Sequence, residues 1–274
     1  MIKEILSIVR KFYPMSNTFQ LFVVQTRIVG ALIMREVITR YGRNNIGFLW
    51  MFFDPLLTTT IVVGLWYAVR AHEVFSLPMI PFMITGYSLM RMWRTTSSRF
   101  IGAINANAGL LYHRNVRLFD VYLARFILDV AGMSIAFILL ILLLVYIDLM
   151  RIPNDVLYMI FAWGLMAWFA FGLGLVIANL SERFQMFKKI WSNLGIVMMV
   201  GSGVFFLADH LPQKVREIAL WVPMVHGSEM IRHAYFGDLI RTHENPSYLI
   251  LWNLFLTFFG LLLLKKQSDE IDFS

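Results

Sequence analysis

Long apolar stretches separated by short polar segments set the pattern of this chain. A helix needs about 20 predominantly apolar residues to cross the hydrocarbon core of a bilayer. Stretches of roughly that length predict six membrane-spanning helices, at residues 48–69, 78–104, 122–147, 156–180, 190–207 and 247–264. The sequence therefore predicts an all-α integral membrane protein with a single transmembrane domain over residues 48–264.

The segments outside these spans also predict helices. Residues 1–47 predict a helix at the cytoplasmic surface, where Glu36 and Arg40 form an i,i+4 pair. Residues 209–237, before the last span, mix apolar and charged side chains, and Pro212 and Pro223 suit a helix start and a break. This pattern favours a re-entrant pair of short helices dipping into the outer leaflet, but an amphipathic loop lying on the bilayer would give a similar pattern.

Basic residues near the ends of the spans predict the orientation. The N-terminal segment, the segments after the second and fourth spans and the tail at 265–274 carry most of the Lys and Arg residues of the shorter loops. Cytoplasmic loops carry such an excess, so we expect both termini to be cytoplasmic.

Composition supports a membrane protein and excludes several other classes. The chain has 274 residues, of which 59% are hydrophobic and 15% charged, whereas soluble domains carry about 25% charged residues. The net charge of +7 is not gathered into a soluble basic patch, so we expect no nucleic-acid partner. Because there is no cysteine, disulfide and thiolate chemistry are excluded.

Motifs for catalysis and for metal binding are missing from the sequence. The chain contains no G-x-x-x-x-G-K-[ST] loop for ATP, no H-E-x-x-H and no cysteine–histidine cluster. Glu229 and His233 stand four residues apart, and without further ligands they favour a surface pair over a metal site. We therefore expect no catalytic residue, no metal and no bound cofactor in this chain, which by itself would not be an enzyme.

A polar stripe runs along one side of the second span at about 100° per residue. It consists of Tyr87, Ser88, Arg91, Arg94, Thr95 and Ser98, with Arg99 at its margin. A charge inside a span costs about 2.5–3.5 kcal/mol, and an arginine fork suits phosphate or carboxylate. The stripe therefore predicts a passage for an anionic, hydroxyl-rich cargo. A later start of the span would instead place all three arginines near the inner interface, and for Arg91 we favour a polar cavity.

Three tryptophans lie deep in the predicted spans and are candidates to line the same passage, since sugar rings stack on aromatic faces. They are Trp93, Trp163 and Trp168. For any one of them, a role in packing or in the aromatic belt at the membrane interface is the better explanation.

Specific motifs occur in order along the chain. Residues 33–50 have the sequence IMREVITRYGRNNIGFLW and are followed by Asp54 and Pro55. This resembles the N-terminal signature of the type-2 ABC exporter permeases, with R-E-x-x-x-R-[YF], then L-G-x-x-W and a proline in the first span; Ile46 replaces the common leucine. Residues 102–117, GAINANAGLLYHRNVR, and residues 221–226, WVPMVH, resemble the capsule-polysaccharide, KpsM-type branch. The resemblance covers nearly the whole chain.

The resemblance implies a permease that pairs with itself and with two copies of a separate ATPase subunit, on which ATP and Mg²⁺ would bind. It implies export of a lipid-linked acidic capsular polysaccharide across the bacterial inner membrane, with further periplasmic and outer-membrane partners. The complex would then be a polysaccharide-transporting ATPase.

The resemblance also assigns residues. Those near the ATPase would be Arg35, Glu36, Arg40, Tyr41, Arg43, Asn107, Leu110, Tyr112, Arg114, Arg117, Glu182, Arg183 and Lys188. Those in the re-entrant segment would be Trp221, Pro223, His226, Glu229 and Arg232.

Three alternative functions stay open from the sequence. One is a type-2 exporter of another cargo, such as O-antigen, teichoic acid, a lipid or a drug; a drug pump would not need the polar stripe. Another is a membrane-bound transferase, which would need an acidic or histidine motif at a loop edge, and we find none. The third is a passive scaffold whose basic loops bind partners.

Overall fold

The computed structural model describes residues 17–42, 45–69, 73–74, 77–111 and 116–272, and this part of the chain is almost entirely helical. Its helices are α1 (Asn17–Tyr41), α2 (Asn45–Val69), α3 (Met79–Ser98), α4 (Ala103–Leu111), α5 (Leu118–Tyr146), α6 (Val156–Arg183), α7 (Gln185–Gly201), α8 (Gln213–Ala219), α9 (Pro223–Phe236) and α10 (Pro246–Asp272). Two-residue strands β1 (Glu73–Val74) and β2 (Leu77–Pro78) pair antiparallel before α3.

Four helices are long and apolar enough to cross a membrane, judged over the described residues. They are Leu49–Val69, Leu118–Tyr146, Val156–Arg183 and Pro246–Ser268. The second and fifth predicted spans correspond to α3 and α7, which fall short of this measure. Arg91 and Arg94 lower the hydropathy of α3, and α7 has only 17 residues.

The second predicted span, 78–104, is not one continuous helix. The chain leaves the helix after Ser98, passes through Gly102 at φ 71° and starts α4 at Ala103. A positive φ costs glycine little because it has no Cβ. The fifth predicted span, 190–207, corresponds to α7, and this helix ends at Gly201 instead of residue 207 because the chain turns at Gly203 with φ 83°.

α6 lies at the centre of the bundle. In its most apolar 18-residue window 61% of the residues are buried, compared with 22% in α2, 39% in α5 and 28% in α10. α6 packs against α10, α3 and α9, while α2, α5 and α10 keep apolar side chains on the outside. Such an apolar exterior is suited to lipid and unsuited to water.

Local signals explain where α6 begins and where α9 begins and ends. The Asp155 side chain accepts a hydrogen bond from the Tyr158 N–H (2.9 Å) and caps α6. Pro223 stands in the first turn of α9, where its missing N–H costs nothing, and Gly237 at φ 57° ends that helix. The segment 209–237 therefore contains two short helices, α8 and α9.

Candidate functional site

Five charged side chains at one end of the bundle form a connected cluster, which we call the inner ion network. Its members are Glu36 and Arg40 of α1, Arg99 after α3, and Arg125 and Asp129 of α5. Asp129 is 2% exposed and accepts hydrogen bonds from Arg40 Nη1 and Arg99 Nη1, both at 2.6 Å. Buried charges are tolerated only when they are paired in this way.

Glu36 closes the inner ion network on its other side. It is 8% exposed, accepts a hydrogen bond from Arg40 Nε at 2.7 Å and forms an ion pair with Arg125, whose Nε lies 2.9 Å from Glu36 Oε1. Arg125 Nη1 also donates to the backbone oxygen of Arg99 at 2.7 Å. The network therefore ties α1 to α5 and to the turn that leads into α4.

Sequence reasoning did not select Arg125 and Asp129 as site residues. Two charges four residues apart near the start of an otherwise apolar span were the signal that could have identified them, since ionisable residues inside spans mark functional or paired sites.

α4 is held by polar contacts from two sides. Arg35 of α1 donates to Asn107 Oδ1 at 2.7 Å, and Asn105 Nδ2 donates to Glu182 of α6 at 3.3 Å. Gln25 of α1 hydrogen bonds to Asp120 at the start of α5. The structure thus brings together Arg35, Asn107 and Glu182 from the predicted ATPase-facing set.

The other members of that set are placed as follows. Tyr41 interacts electrostatically with Arg99, and the Arg117 N–H donates to Asp120 Oδ2 at 3.0 Å, which caps α5. Arg183 and Lys188 are exposed on either side of the break between α6 and α7. Leu110 lies in α4, and Arg43, Tyr112 and Arg114 lie outside the described residues.

The polar stripe of α3 is largely engaged by neighbouring helices. Arg91 forms an ion pair with Asp54 of α2 at 2.7 Å, and Trp191 Nε1 of α7 donates to Ser98 Oγ at 3.1 Å. Tyr87 and Thr95 are half-buried and Ser88 is buried.

Arg94 differs from the other arginines of the stripe. It is half-buried beside α7, where its guanidinium contacts the sulphur of Met199 at 3.8 Å. Within the described part of the chain it forms no ion pair. Arg91 and Arg99 each pair with a carboxylate, whereas no carboxylate among the described residues neutralises the charge of Arg94.

The three tryptophans pack between helices. Trp93 is 1% exposed and meets Phe169 edge to face, so its ring lies in the core and not on an open surface. Trp163 stacks on Phe137 with ring centroids 4.5 Å apart and donates to Ser134 Oγ. Trp168 donates to Thr257 Oγ1 at 3.0 Å.

The opposite end of the bundle contains a fully buried arginine. Arg232 of α9 donates to the backbone oxygens of Gly203, Phe206 and Val204 at 2.5–2.7 Å, and its guanidinium lies 3.8 Å above the Phe82 ring. Burial lowers the pKa of Arg232 to about 10, so it stays charged at neutral pH. It holds the loop after α7 against α3 and α9.

Glu229 and His233 do not form the expected surface pair. Glu229 is 0% exposed and accepts from the backbone N–H groups of Ala208 and His243, each at 3.2 Å. Burial raises the pKa of Glu229. His233 instead hydrogen bonds to Glu244. The Glu229 side chain lies on the buried face of α9, and the residue spacing alone does not reveal which face of the helix is buried.

His226 joins α9 to both of its neighbouring loops. Its Nδ1 accepts from the Asn245 N–H at 3.0 Å, so its Nε2 carries the hydrogen that bonds to the Leu220 oxygen at 2.9 Å. Burial lowers the pKa of His226, which agrees with this neutral form. Trp221, in the same motif, is 78% exposed.

Residues 27–236 match the family model described as ABC-2 type transporter. The chain is 50% identical over 257 residues to the capsule polysaccharide export inner-membrane protein CtrC of Neisseria meningitidis serogroup B, covering 94% of this chain and 97% of that protein. It is 49% identical over 261 residues to the corresponding protein BexB of Haemophilus influenzae, covering 95% and 98%. The polysialic acid transport protein KpsM of Escherichia coli is 27% identical over 252 residues, covering 91% and 97%.

Proposed function

From the premise that this chain belongs to the ABC-2 type transporter family, we propose that it is the membrane-spanning subunit of an ATP-driven exporter of capsular polysaccharide in the bacterial inner membrane. The observation that carries this proposal is the identity of about half of all positions, end to end, with two capsule polysaccharide export inner-membrane proteins. A shared site of a few residues would not produce similarity over this length.

The contacts support six membrane crossings. At one end of the bundle, α1, α4, the start of α5 and the end of α6 are joined through Gln25–Asp120 and Asn105–Glu182. At the other end, the Asp155 N–H donates to the Ala234 oxygen of α9 at 2.8 Å. α7 starts directly after α6 at the first end, and the loop that follows α7 is bound by Arg232 at the second end. α3 also reaches both ends, because Phe82 lies under Arg232 and Arg99 joins the inner ion network. α3 and α7 therefore each connect opposite sides of the bundle.

The first end would be cytoplasmic and would contact the ATPase subunits. α1, α4 and the break between α6 and α7 present the predicted contact residues there, and the inner ion network joins α1 and the start of α4 to the spans. ATP and Mg²⁺ would bind on the ATPase and not on this chain. Two copies of the chain, two ATPases and further periplasmic and outer-membrane proteins would complete the export route.

The cargo would pass along the polar side of α3. Arg94 has no carboxylate partner in the described part of the chain. Arg91 pairs with Asp54, whose side chain is 45% exposed, so an anion from the cargo could replace Asp54 in this ion pair. A phosphate or an acidic sugar would replace these weak or partly solvated contacts with charge-assisted hydrogen bonds. The outer helices α8 and α9 would form the re-entrant segment at the exit.

The first experiment is co-purification of the tagged chain with the ATPase subunit of its own cell, followed by an ATPase assay with and without lipid-linked acidic polysaccharide. We expect a stable complex whose hydrolysis rate changes when the glycolipid is added. A complex that ignores the glycolipid would contradict the capsular cargo, and failure to form any complex would contradict the role as an ABC permease.

A further inference from the structure

A cavity of about 120 Å³ lies between the ends of α6 and α10, at the end of the bundle where α4 packs. It is lined by Asn179, Glu182, Arg183, Leu263, Lys266 and Gln267. A single water needs roughly 10–15 Å³, so the cavity has room for a small polar group. It is separate from the polar stripe and from the inner ion network.

The cavity presents hydrogen-bond acceptors that have no donor. Asn179 is 6% exposed, and its Nδ2 donates to the Leu175 oxygen at 2.7 Å, which leaves its buried Oδ1 without a partner. The buried Oε1 of Gln267 is likewise without a partner. Buried acceptors left unpaired are costly. With the Glu182 carboxylate beside them, they suit a positively charged donor such as a primary ammonium group.

The rim of the cavity carries the opposite charge. Arg183 and Lys266 are exposed there, and guanidinium and ammonium groups bind phosphate oxygens. One to three turns earlier on the same face of α10 stand Leu262, Phe258 and Phe255, which are 50%, 66% and 58% exposed. An apolar helix face that ends in a cation matches acyl chains followed by a phosphate.

We propose that this cavity binds the headgroup of a phosphatidylethanolamine molecule from the cytoplasmic leaflet. The ammonium lies against Asn179 Oδ1, Gln267 Oε1 and Glu182, the phosphate lies against Lys266 and Arg183, and the acyl chains cover α10. Because Glu182 also accepts a hydrogen bond from Asn105 of α4, the bound lipid contacts a residue attached to that helix. This site does not depend on the identity of the cargo.

The test is native mass spectrometry of the purified full-length chain titrated with phosphatidylethanolamine, phosphatidylglycerol and phosphatidylcholine. We expect phosphatidylethanolamine to bind at least about tenfold more tightly than the other two, since only it supplies both a phosphate and an ammonium with free N–H donors. Lys266→Gln and Asn179→Leu should each weaken it about tenfold. Lys265→Gln, an exposed neighbour that does not line the cavity, should leave binding unchanged.

Three results would overturn the proposal. One is equal affinity of the wild-type chain for all three lipids. Another is an unchanged affinity for phosphatidylethanolamine in Lys266→Gln. Because Lys266 is exposed, this variant folds even if Asn179→Leu does not. The third is binding of soluble O-phosphoethanolamine as tight as that of the lipid, which would assign the cavity to a free phosphate compound.

Discussion

At the scale of single residues, the charged side chains within the bundle differ in whether a partner neutralises their charge. Arg91 pairs with Asp54, Arg99 pairs with Asp129, and Arg232 donates to three backbone oxygens. Among the described residues Arg94 forms no ion pair, and its guanidinium donates to the sulphur of Met199. Partnered arginines stabilise the fold, whereas an arginine without a carboxylate keeps its capacity to bind an anion.

Arg94→Ala should therefore reduce export more than it reduces stability. A hydrogen bond to a charged group contributes about 1.5–3 kcal/mol, so we expect roughly a tenfold to hundredfold loss in the rate of capsule export. Arg94→Lys should retain part of the activity because it keeps the charge without the planar fork. Surface capsule quantified in cells that express each variant checks this, with Arg151→Ala, at an exposed loop position, as the control. Normal export from a well-expressed Arg94→Ala protein would remove Arg94 from the passage.

His226 gives a pH-dependent prediction. Its neutral ring is required by the donor and the acceptor that it contacts, and its folded-state pKa is lowered by burial. Its contribution to stability is complete above about pH 6.5 and is lost as the pH falls through the lowered folded-state pKa.

We expect the melting temperature of the purified protein to decrease on acidification over that range. The decrease should be smaller in His226→Gln, whose amide donates and accepts without titrating. The same pH dependence in both proteins would show that another group is responsible.

At the scale of secondary-structure elements, α6 and α10 approach closely through two glycines. A Cβ on Gly172 would lie 3.0 Å from the Thr257 nitrogen, and one on Gly260 would lie 2.7 Å from Leu175 Cβ. Small residues allow helices in a membrane to pack backbone to backbone. These positions therefore set the distance between the central helix and the last span.

Gly260→Ala should lower the free energy of unfolding by about 1–3 kcal/mol, the usual cost of overpacking a close contact. Gly164→Ala is the matched control on α6, because apart from its own helix backbone and chain neighbours no atom lies within 4 Å of its added Cβ, and it should be neutral or slightly stabilising. Thermal unfolding in detergent measures both. Equal melting temperatures for the two variants would contradict the close approach.

The inner ion network also acts at the scale of elements, because it joins α1, α5 and the turn after α3. Asp129→Asn removes the charge that two arginines share, so we expect a loss of about 3–5 kcal/mol of stability, typical of a broken buried pair. Export should fall with it.

A double-mutant cycle isolates this interaction. Adding Arg99→Gln to Asp129→Asn should cost less than the sum of the two single changes, since their shared contact is already lost. Asp238→Asn, at an exposed position, is the control for a simple loss of charge. Full additivity in melting temperature would mean that Asp129 and Arg99 are not coupled.

At the scale of the whole molecule, the helices connect two chemically different ends. One end carries the inner ion network and α4, and the other carries α8, α9 and the buried Arg232. If only the four helices of sufficient hydropathy crossed the bilayer, the loop at 147–155 and the start of α7 would each lie on the side opposite to that expected from six crossings. The two topologies are therefore distinguishable by labelling.

The absence of cysteine makes this labelling direct. We expect Ile152→Cys, at a position 73% exposed, to react with a membrane-impermeant maleimide in spheroplasts. Lys188→Cys should react only after the membrane is permeabilised, and the cysteine-free chain is the background control. The reverse pattern would establish four crossings.

The sequence by itself determined the class of protein, the four strongly apolar spans, the two short helices after residue 209 and the family resemblance, which the comparisons confirm. These features depend on local composition measured against a fixed bilayer thickness or on contiguous motifs. The break after Ser98 was missed because the apolar stretch continues past the turn at Gly102.

Only the tertiary structure decided which polar residues meet. Arg40 and Asp129 are 89 residues apart in the chain, and Arg91 finds Asp54 on another helix. Glu229 and His233 share a helix face by spacing, yet one is buried beneath a loop and the other pairs with Glu244. A buried charge is stabilised by whichever partner the packed helices bring within about 3 Å, and that proximity is a property of the assembled bundle and not of any one segment.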